Sequence, residues 1–285
     1  VHRGRIGQPD SVRRQDGTGG QRGDRRWHRP VGRRRSRLGL VVALLAAMLS
    51  APVTQAAAAP RPIVGGDDVS VREYPFAVYL VDGRANQYCG GALLSADTVL
   101  TAAHCALAVR RSALGVVAGR EYMSSVDGVR AGVESIWVAP GYDHPLSGDD
   151  IAVLTLDERV PYRTADVATT SEYYRAGTRA TVLGWGRLYE NGPKPGHLLA
   201  ADVPVVSDSR CGDIFRSFDA ETMVCAGHEE GGIDACQGDS GGPLVVDDTV
   251  IGIVSWGDGC GEPNRPGVYT RVAAYADQLG RSDRP

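Results

Sequence analysis

The chain has 285 residues, with 31 Lys plus Arg against 34 Asp plus Glu and a formal net charge of −3. That near balance hides a segregation: residues 1–37 carry twelve Arg and three acids, whereas from residue 63 onward 18 bases face 31 acids, a net −13. An acidic body excludes nucleic acid as its partner, because phosphate binding requires a positive face.

Between head and body runs LGLVVALLAAML (38–49), twelve uncharged residues that follow Arg33, Arg34, Arg35 and Arg37 and precede the small residues of SAPVTQAAAAP. Basic, then apolar, then small is the pattern of a cleaved secretory signal. The apolar run falls short of the roughly 20 residues that a membrane span needs. The organisation expected is therefore a basic head and signal over about residues 1–57, a short propeptide over 58–62 and one folded domain over 63–285. That domain is expected to be secreted, extracellular and free of the membrane once the signal is removed. All six cysteines, Cys89, Cys105, Cys211, Cys225, Cys236 and Cys260, lie beyond the signal. An even count in an exported chain reads as three disulfides, and no pair has the CxxC spacing of a zinc site.

Along the body, short apolar or alternating runs recur between turn residues. They are FAVYLV (76–81), YCGGALL (88–94), TVLTAAHC (98–105), LGVVAG (114–119), VESIWV (133–138), DIAVLTL (150–156), RATVLGWG (179–186), LAADVPVV (199–206), GPLVVDD (242–248), TVIGIVSWG (249–257) and GVYTRV (267–272). Such spacing, in a chain with 37 glycines, predicts an all-β barrel or sandwich architecture. Only AAYADQLG (273–280) reads as a helix.

Four short words stand out in order: IVGG (63–66), TAAHC (101–105), DDIAVLTL (149–156) and GDSGGP (238–243). A serine hydroxyl is a poor nucleophile at neutral pH unless a base lies within hydrogen-bond reach and a third group orients that base. Ser240, set among glycines, offers the hydroxyl, and His104, fixed beside Cys105, offers a base that titrates near neutrality. The orienting acid belongs at the start of an apolar strand, where Asp149 and Asp150 both stand. Two further acids, Asp234 and Asp239, precede the serine, and such a pair could as well hold a metal or cap a turn.

Taken together, these words resemble the trypsin-like serine proteases of the chymotrypsin fold, from Ile63 to the C-terminus. The resemblance implies two six-stranded antiparallel β-barrels with the active site in the cleft between them and a short C-terminal helix. It selects Asp150, directly before Ile-Ala, as the partner of His104 and Ser240, and leaves Asp149 as a solvated turn residue. Gly238 and Ser240 would supply the N–H donors of an oxyanion hole. Asp239 would pair with the α-amino group of Ile63 once the preceding chain is removed, and would have to go elsewhere before that, since a buried lone carboxylate is costly. Asp234 would form the floor of a pocket for Arg or Lys, walled by Ser255, Trp256, Gly257, Gly259 and Gly267 with Tyr269. Ala235, where relatives often carry Ser, would tilt that pocket toward Arg.

The same resemblance implies the disulfides Cys89 to Cys105, Cys211 to Cys225 and Cys236 to Cys260. It implies polypeptide substrates, protein protease inhibitors as partners, a monomer and no cofactor. Relatives often bind calcium in a loop, but residues 119–132 here offer only Glu121 and Asp127, so no metal is expected. The alternative is an inactive relative that only binds; such chains usually lose a member of the triad, and none is lost here. One departure is Pro62, which stands before Ile63 where many relatives have Arg or Lys. Arg61 precedes it, so cleavage after Arg61 would leave Pro at the new N-terminus and maturation would need another protease or trimming.

Overall fold

The computed structural model describes residues 62–280; the basic head, the signal, residues 58–61 of the propeptide and the last five residues lie outside them. The chain enters through Pro62–Gly65, where Ile63 (φ 39°, ψ 134°) and Val64 (φ −41°, ψ 104°) are not helical, and Gly66 N–H closes a tight turn on the Ile63 carbonyl at 2.6 Å. The two-residue strand β1 (Asp67–Asp68) follows.

The first barrel comprises β2 (Ala77–Val81), β3 (Gln87–Ser95), β4 (Thr98–Thr101), β5 (Gly115–Ala118), β6 (Val129–Val138) and β7 (Ala152–Leu156). It closes in the order β2-β3-β4-β7-β6-β5, with β5 pairing back to β2 and every pairing antiparallel. Closure removes the unpaired edges that a sheet would otherwise expose. All five residues of β2 are buried, although a half-exposed strand would alternate. The second face is covered because Tyr79 meets Trp185, which follows β9 in the second barrel, edge-on at 5.0 Å.

The second barrel is built from β9 (Arg179–Gly184), β10 (Leu199–Val206), β11 (Met223–Ala226), β12 (Pro243–Val246), β13 (Thr249–Trp256) and β14 (Gly267–Arg271). Its order is β10-β11-β14-β13-β12-β9, closed by the β9 to β10 pairing; β1 extends the edge at β10, and the two-residue β8 (Asp166–Val167) lies parallel to β13. Each predicted run overlaps one of these barrel strands, β3 and β6 extending beyond theirs. The sequence reading missed β11, MVCA, whose four residues are all buried and so show no alternation.

Short helices connect the strands: α1 (Ala103–Leu107), α2 (Asp208–Ile214) and α3 (Ala276–Leu279), the last preceded by a 3₁₀ turn over Val272–Tyr275. The C-terminal helix is where the sequence placed it, but TVLTAAHC is a strand only as far as Thr101 and then turns into α1. The second helix, α2, also escaped the sequence reading, although Ser207 caps it by accepting from Arg210 N–H at 3.2 Å. Disulfides join Cys89 to Cys105, Cys211 to Cys225 and Cys236 to Cys260, tying β3 to α1 and α2 to β11. No described helix is long and apolar enough to cross a membrane.

The two barrels touch where a side chain would not fit. A Cβ on Gly90 in β3 would lie 2.8 Å from the Gly242 Cα, and Gly90 N–H donates to the Ser240 carbonyl at 2.7 Å. This backbone contact sets the first barrel directly against the Ser240 loop.

Candidate active site

Asp150 lies just ahead of β7, after Gly148 and Asp149 have turned the chain through positive φ (88° and 55°). That turn delivers its carboxylate to the junction of the barrels, where the residue is 1% exposed. His104 comes from the first turn of α1 and donates twice to it: backbone N–H to Oδ1 at 2.9 Å, and Nδ1–H to Oδ2 at 2.8 Å. From the second barrel, Ser255 Oγ donates to Oδ2 at 2.5 Å, and Thr270 Oγ1 donates to the Asp150 carbonyl at 2.7 Å. Burial pushes the Asp150 carboxyl upward, but the His104 and Ser255 bonds outweigh it and leave the group more acidic than an ordinary aspartate.

Asp149 has a different task. Its φ of 55° makes it a turn residue, but its carboxylate accepts from Tyr275 Oη at 2.8 Å, so it also anchors the C-terminal segment. The expectation of a merely solvated residue is corrected to that extent: the ring of Tyr275, at 4% exposure, brings a buried donor to it.

Ser240 follows a tight loop in which Asp239 N–H donates to the Cys236 carbonyl at 2.9 Å and Gly242 N–H to the Asp239 carbonyl at 2.8 Å. Among the described residues, the Ser240 hydroxyl makes no hydrogen bond, and neither do the N–H groups of Gly238 and Ser240. His104 Nε2 faces the Cys105 sulfur at 3.5 Å, and the imidazole is 27% exposed. Gly238 sits at φ 103°, a region that only glycine enters freely. Its carbonyl is held by Gln87 Nε2–H at 2.8 Å, so the residue is fixed on its carbonyl side while its own N–H stays free.

Asp239 is fully buried and points inward although Pro62 and Ile63 are joined. Its Oδ1 accepts from Gly186 N–H at 2.7 Å and its Oδ2 from Cys236 N–H at 2.9 Å, and no described cation forms an ion pair with it. The expectation that this carboxylate must go elsewhere in the uncleaved chain therefore does not describe the structure. Two backbone donors accommodate it, although burial still raises its pKa to about 6. Ile63 is likewise fully buried, and Val64 bridges to Asp234, whose N–H donates to the Val64 carbonyl at 3.1 Å.

Asp234 lines a cleft of 330 Å³ together with Ala235, Ser240, Ser255, Trp256, Gly257, Gly259 and Gly267. The residues proposed for pocket and nucleophile thus meet in one cavity. Ala235 N–H and Gly261 N–H donate to its two carboxylate oxygens at 2.8 and 3.0 Å. Burial dominates nonetheless and, with the Asp239 charge adding to it, raises the pKa to about 7. A Cβ on Gly267 would lie 2.8 Å from Asp234 Oδ1, whereas beside Gly257 only the Gly259 carbonyl, at 3.6 Å, comes within contact. The Tyr269 hydroxyl is buried in the same cleft with no partner. It and the Asp234 carboxylate leave a polar floor with hydrogen-bonding capacity to spare.

Two participants escaped the sequence reading. Ser255 was assigned to the pocket wall, yet its hydroxyl serves Asp150; no local pattern announces a bond across 105 positions. Glu190, on the exposed loop after β9, adds a second carboxylate to the cleft. Among the described residues, the one cluster with metal-ligand spacing is Cys89, His104 and Cys105, whose two sulfurs are bonded to each other.

The family model described as Trypsin matches residues 63–279. A protein named Trypsin from Saccharopolyspora erythraea is 45% identical over 218 residues, covering 76% of this chain and 96% of the relative. A Trypsin-like protease from Streptomyces glaucescens is 40% identical over 249 residues, covering 85% and 89% respectively. Trypsin eta from Drosophila melanogaster is 39% identical over 230 residues, covering 77% and 87%.

The two raised carboxyls fix a pH dependence of folding. An aspartate whose folded pKa lies above its unfolded value stabilises the protein below the unfolded value, and that stability is lost as pH rises through the folded pKa. For Asp239 and Asp234 the window runs from 3.8 to about 6 and about 7. Asp150, held low, loses its contribution only at more acid pH. The uncleaved Ser240→Ala chain should therefore melt several degrees higher at about pH 5 than at about pH 8 in calorimetry. A melting temperature that is flat or rises over that interval would contradict the assigned shifts.

Proposed function

The chain belongs to the trypsin family of serine proteases, and on that premise we propose that it is a secreted endopeptidase that cleaves after Arg and Lys, with Arg preferred. One observation carries the specificity: the Asp234 carboxylate and the unpartnered Tyr269 hydroxyl end a cleft that also contains Ser240. A long cationic side chain fits such a floor, and a planar guanidinium can engage both carboxylate oxygens. At neutral pH the empty pocket is part protonated, because the pKa of Asp234 is about 7. An incoming cation favours the ionised form, so that binding displaces the proton.

In the mechanism we assign, Ser240 Oγ attacks the carbonyl of the scissile bond while His104 Nε2 takes its proton. Asp150 holds the imidazole by Nδ1, which directs Nε2 to the hydroxyl, and stabilises the imidazolium that forms. The oxyanion is met by the free N–H groups of Gly238 and Ser240, each such donor being worth roughly 3 kcal/mol. The imidazolium then protonates the departing amine, leaving an acyl-enzyme. Water, deprotonated by His104, attacks the ester, and the proton returns to Ser240. Ser255 acts through Asp150 as a positioning residue, from the second barrel.

Activation follows from Asp239. Release of the Ile63 α-amino group would offer this buried carboxylate, which is bonded only to uncharged backbone donors, a cationic partner that lowers its pKa and holds it ionised. Export through the signal whose apolar run is residues 38–49 and removal of the propeptide at 58–62 complete the pathway, with Pro62 calling for an enzyme other than this one.

The processed protein should hydrolyse an arginine anilide and lose that activity to a serine-directed phosphonylating reagent; activity that survives complete modification would refute Ser240 as nucleophile. On matched anilides kcat/KM should favour Arg over Lys, and Ala235→Ser should narrow the ratio by about fivefold, since a hydroxyl gives the ammonium a direct partner worth about 1 kcal/mol. Equal efficiency on both substrates in both forms would sink that assignment. Ser240→Ala precursor secreted by the native host should still be found processed to Ile63, and recovery of only intact precursor would point to self-cleavage.

A further inference from the structure

Lys194 is the only lysine in the 285 residues. It stands on the exposed loop between β9 and β10, and its ammonium donates to the Gln87 carbonyl and, at 2.5 Å, to Gln87 Oε1. The other end of that amide, Nε2, holds the Gly238 carbonyl at 2.8 Å. The ammonium is thus fixed two contacts from the carbonyl of Gly238, the residue whose own N–H is an oxyanion donor. It lines a cavity of 410 Å³ that also receives Arg120 and Arg130, floored by Tyr79, Val81 and Met123. This cavity shares no residue with the Asp234 cleft. Gly238 separates the two.

Three cations therefore converge on one cavity in a domain whose net charge is −13. Among the described residues, none of the three has an ion-pair partner, although Arg159, Arg163, Arg179, Arg210, Arg265 and Arg271 all do. Arg120 is steadied by donating from Nε to the Asp127 carbonyl at 2.6 Å, which leaves its charge uncompensated. Lys194 still has one N–H to give after its two bonds to Gln87. Burial and the neighbouring Arg187 lower its pKa, and the Asp239 charge offsets this only in part. The loop is two-sided: Glu190 faces the Asp234 cleft, and Lys194 faces the cationic cavity.

We propose that the cavity of Arg120, Arg130 and Lys194 is a subsite for an acidic side chain of the substrate, on the leaving-group side of the scissile bond. The proposal rests on the endopeptidase reading above. Gln237 and Ser240 line the Asp234 cleft, whereas a Cβ on Gly238 between them would meet Lys194 Cε at 3.4 Å and Gln87 Oε1 at 3.5 Å, both in the cationic cavity. A chain whose residue before the scissile bond fills the cleft can therefore leave past Ser240 and Gly238 toward Lys194. A carboxylate there would meet up to three unpaired cations over an apolar floor, and a Lys or Arg side chain would be repelled.

Quenched-fluorescence peptides with Arg before the scissile bond, and Asp, Ala or Lys at each of the first three positions after it, provide the test. At low salt, kcat/KM should favour Asp over Ala by about fivefold at one of these positions, the scale of a few part-exposed charge contacts, and should place Lys below Ala. The ratio of Asp to Ala, taken within each protein and so independent of its folded fraction, should fall in Arg130→Gln and in Lys194→Gln, and should shrink in high salt. Equal rates for Asp, Ala and Lys at all three positions would overturn the proposal, as would a preference that both variants retain. Cleavage of none of the arginine peptides would sink the endopeptidase reading and this one with it.

Discussion

Taking the Asp150 carboxylate out of water costs several kcal/mol unless its oxygens are met by donors, and the donors come from both barrels. His104 supplies two from α1 in the first barrel, and Ser255 supplies one from β13 in the second. Thr270 in β14 holds the carbonyl of the same residue. The imidazole can keep its orientation only while the barrels keep their spacing, and that spacing is set by backbone contact at Gly90 and Gly242 together with side-chain packing such as Tyr79 on Trp185. A larger residue at either glycine would disturb the chemistry without touching His104 or Ser240.

A second buried carboxylate shows what happens when the partners differ. Asp239 is as deeply buried as Asp150, but its two donors are uncharged backbone groups. One carboxyl is consequently held below the ordinary range and the other raised to about 6. Burial acts alike on both; the histidine decides the sign. A group that is hydrogen-bonded yet lacks a cation is suited to respond to a new positive charge, whereas Asp150, already compensated, is suited to stay constant. The same sequence word, Asp beside an apolar strand or a serine, therefore encodes opposite electrostatic roles that only the surroundings distinguish.

Much of this was legible along the chain because barrels are made of short strands with visible periods. The apolar runs located every barrel strand except Met223–Ala226, whose four buried residues show no alternation. The helices α1 and α2 were lost for a related reason: five and seven residues complete too few turns to show a period of 3.6. At the site, His104, Asp150, Asp234 and Ser240 stood out by their motifs, and the structure brings them to one junction and one cleft. What the chain concealed was contact across long separations. Ser255 reaching Asp150, Tyr275 reaching Asp149 and Gln87 reaching Gly238 span 105, 126 and 151 positions. Hydroxyls and amides carry no period, so their partners emerge only when the barrels are docked.

The distribution of charge bears on how a polypeptide would approach. A net −13 domain attracts basic chains at long range, and the attraction is focused where Asp234 and Glu190 face a low-dielectric cleft. A field of one sign alone would draw a basic peptide in either direction, since both ends see the same acids. Placing the sole lysine and two unpaired arginines across Gly238 from that cleft breaks the symmetry. A substrate with a cation before the bond and an anion after it is then stabilised in one direction and opposed in the other. Because Lys194 is anchored through Gln87 to the Gly238 carbonyl, this asymmetry is built into the backbone that presents the oxyanion donors, not appended on a free surface loop.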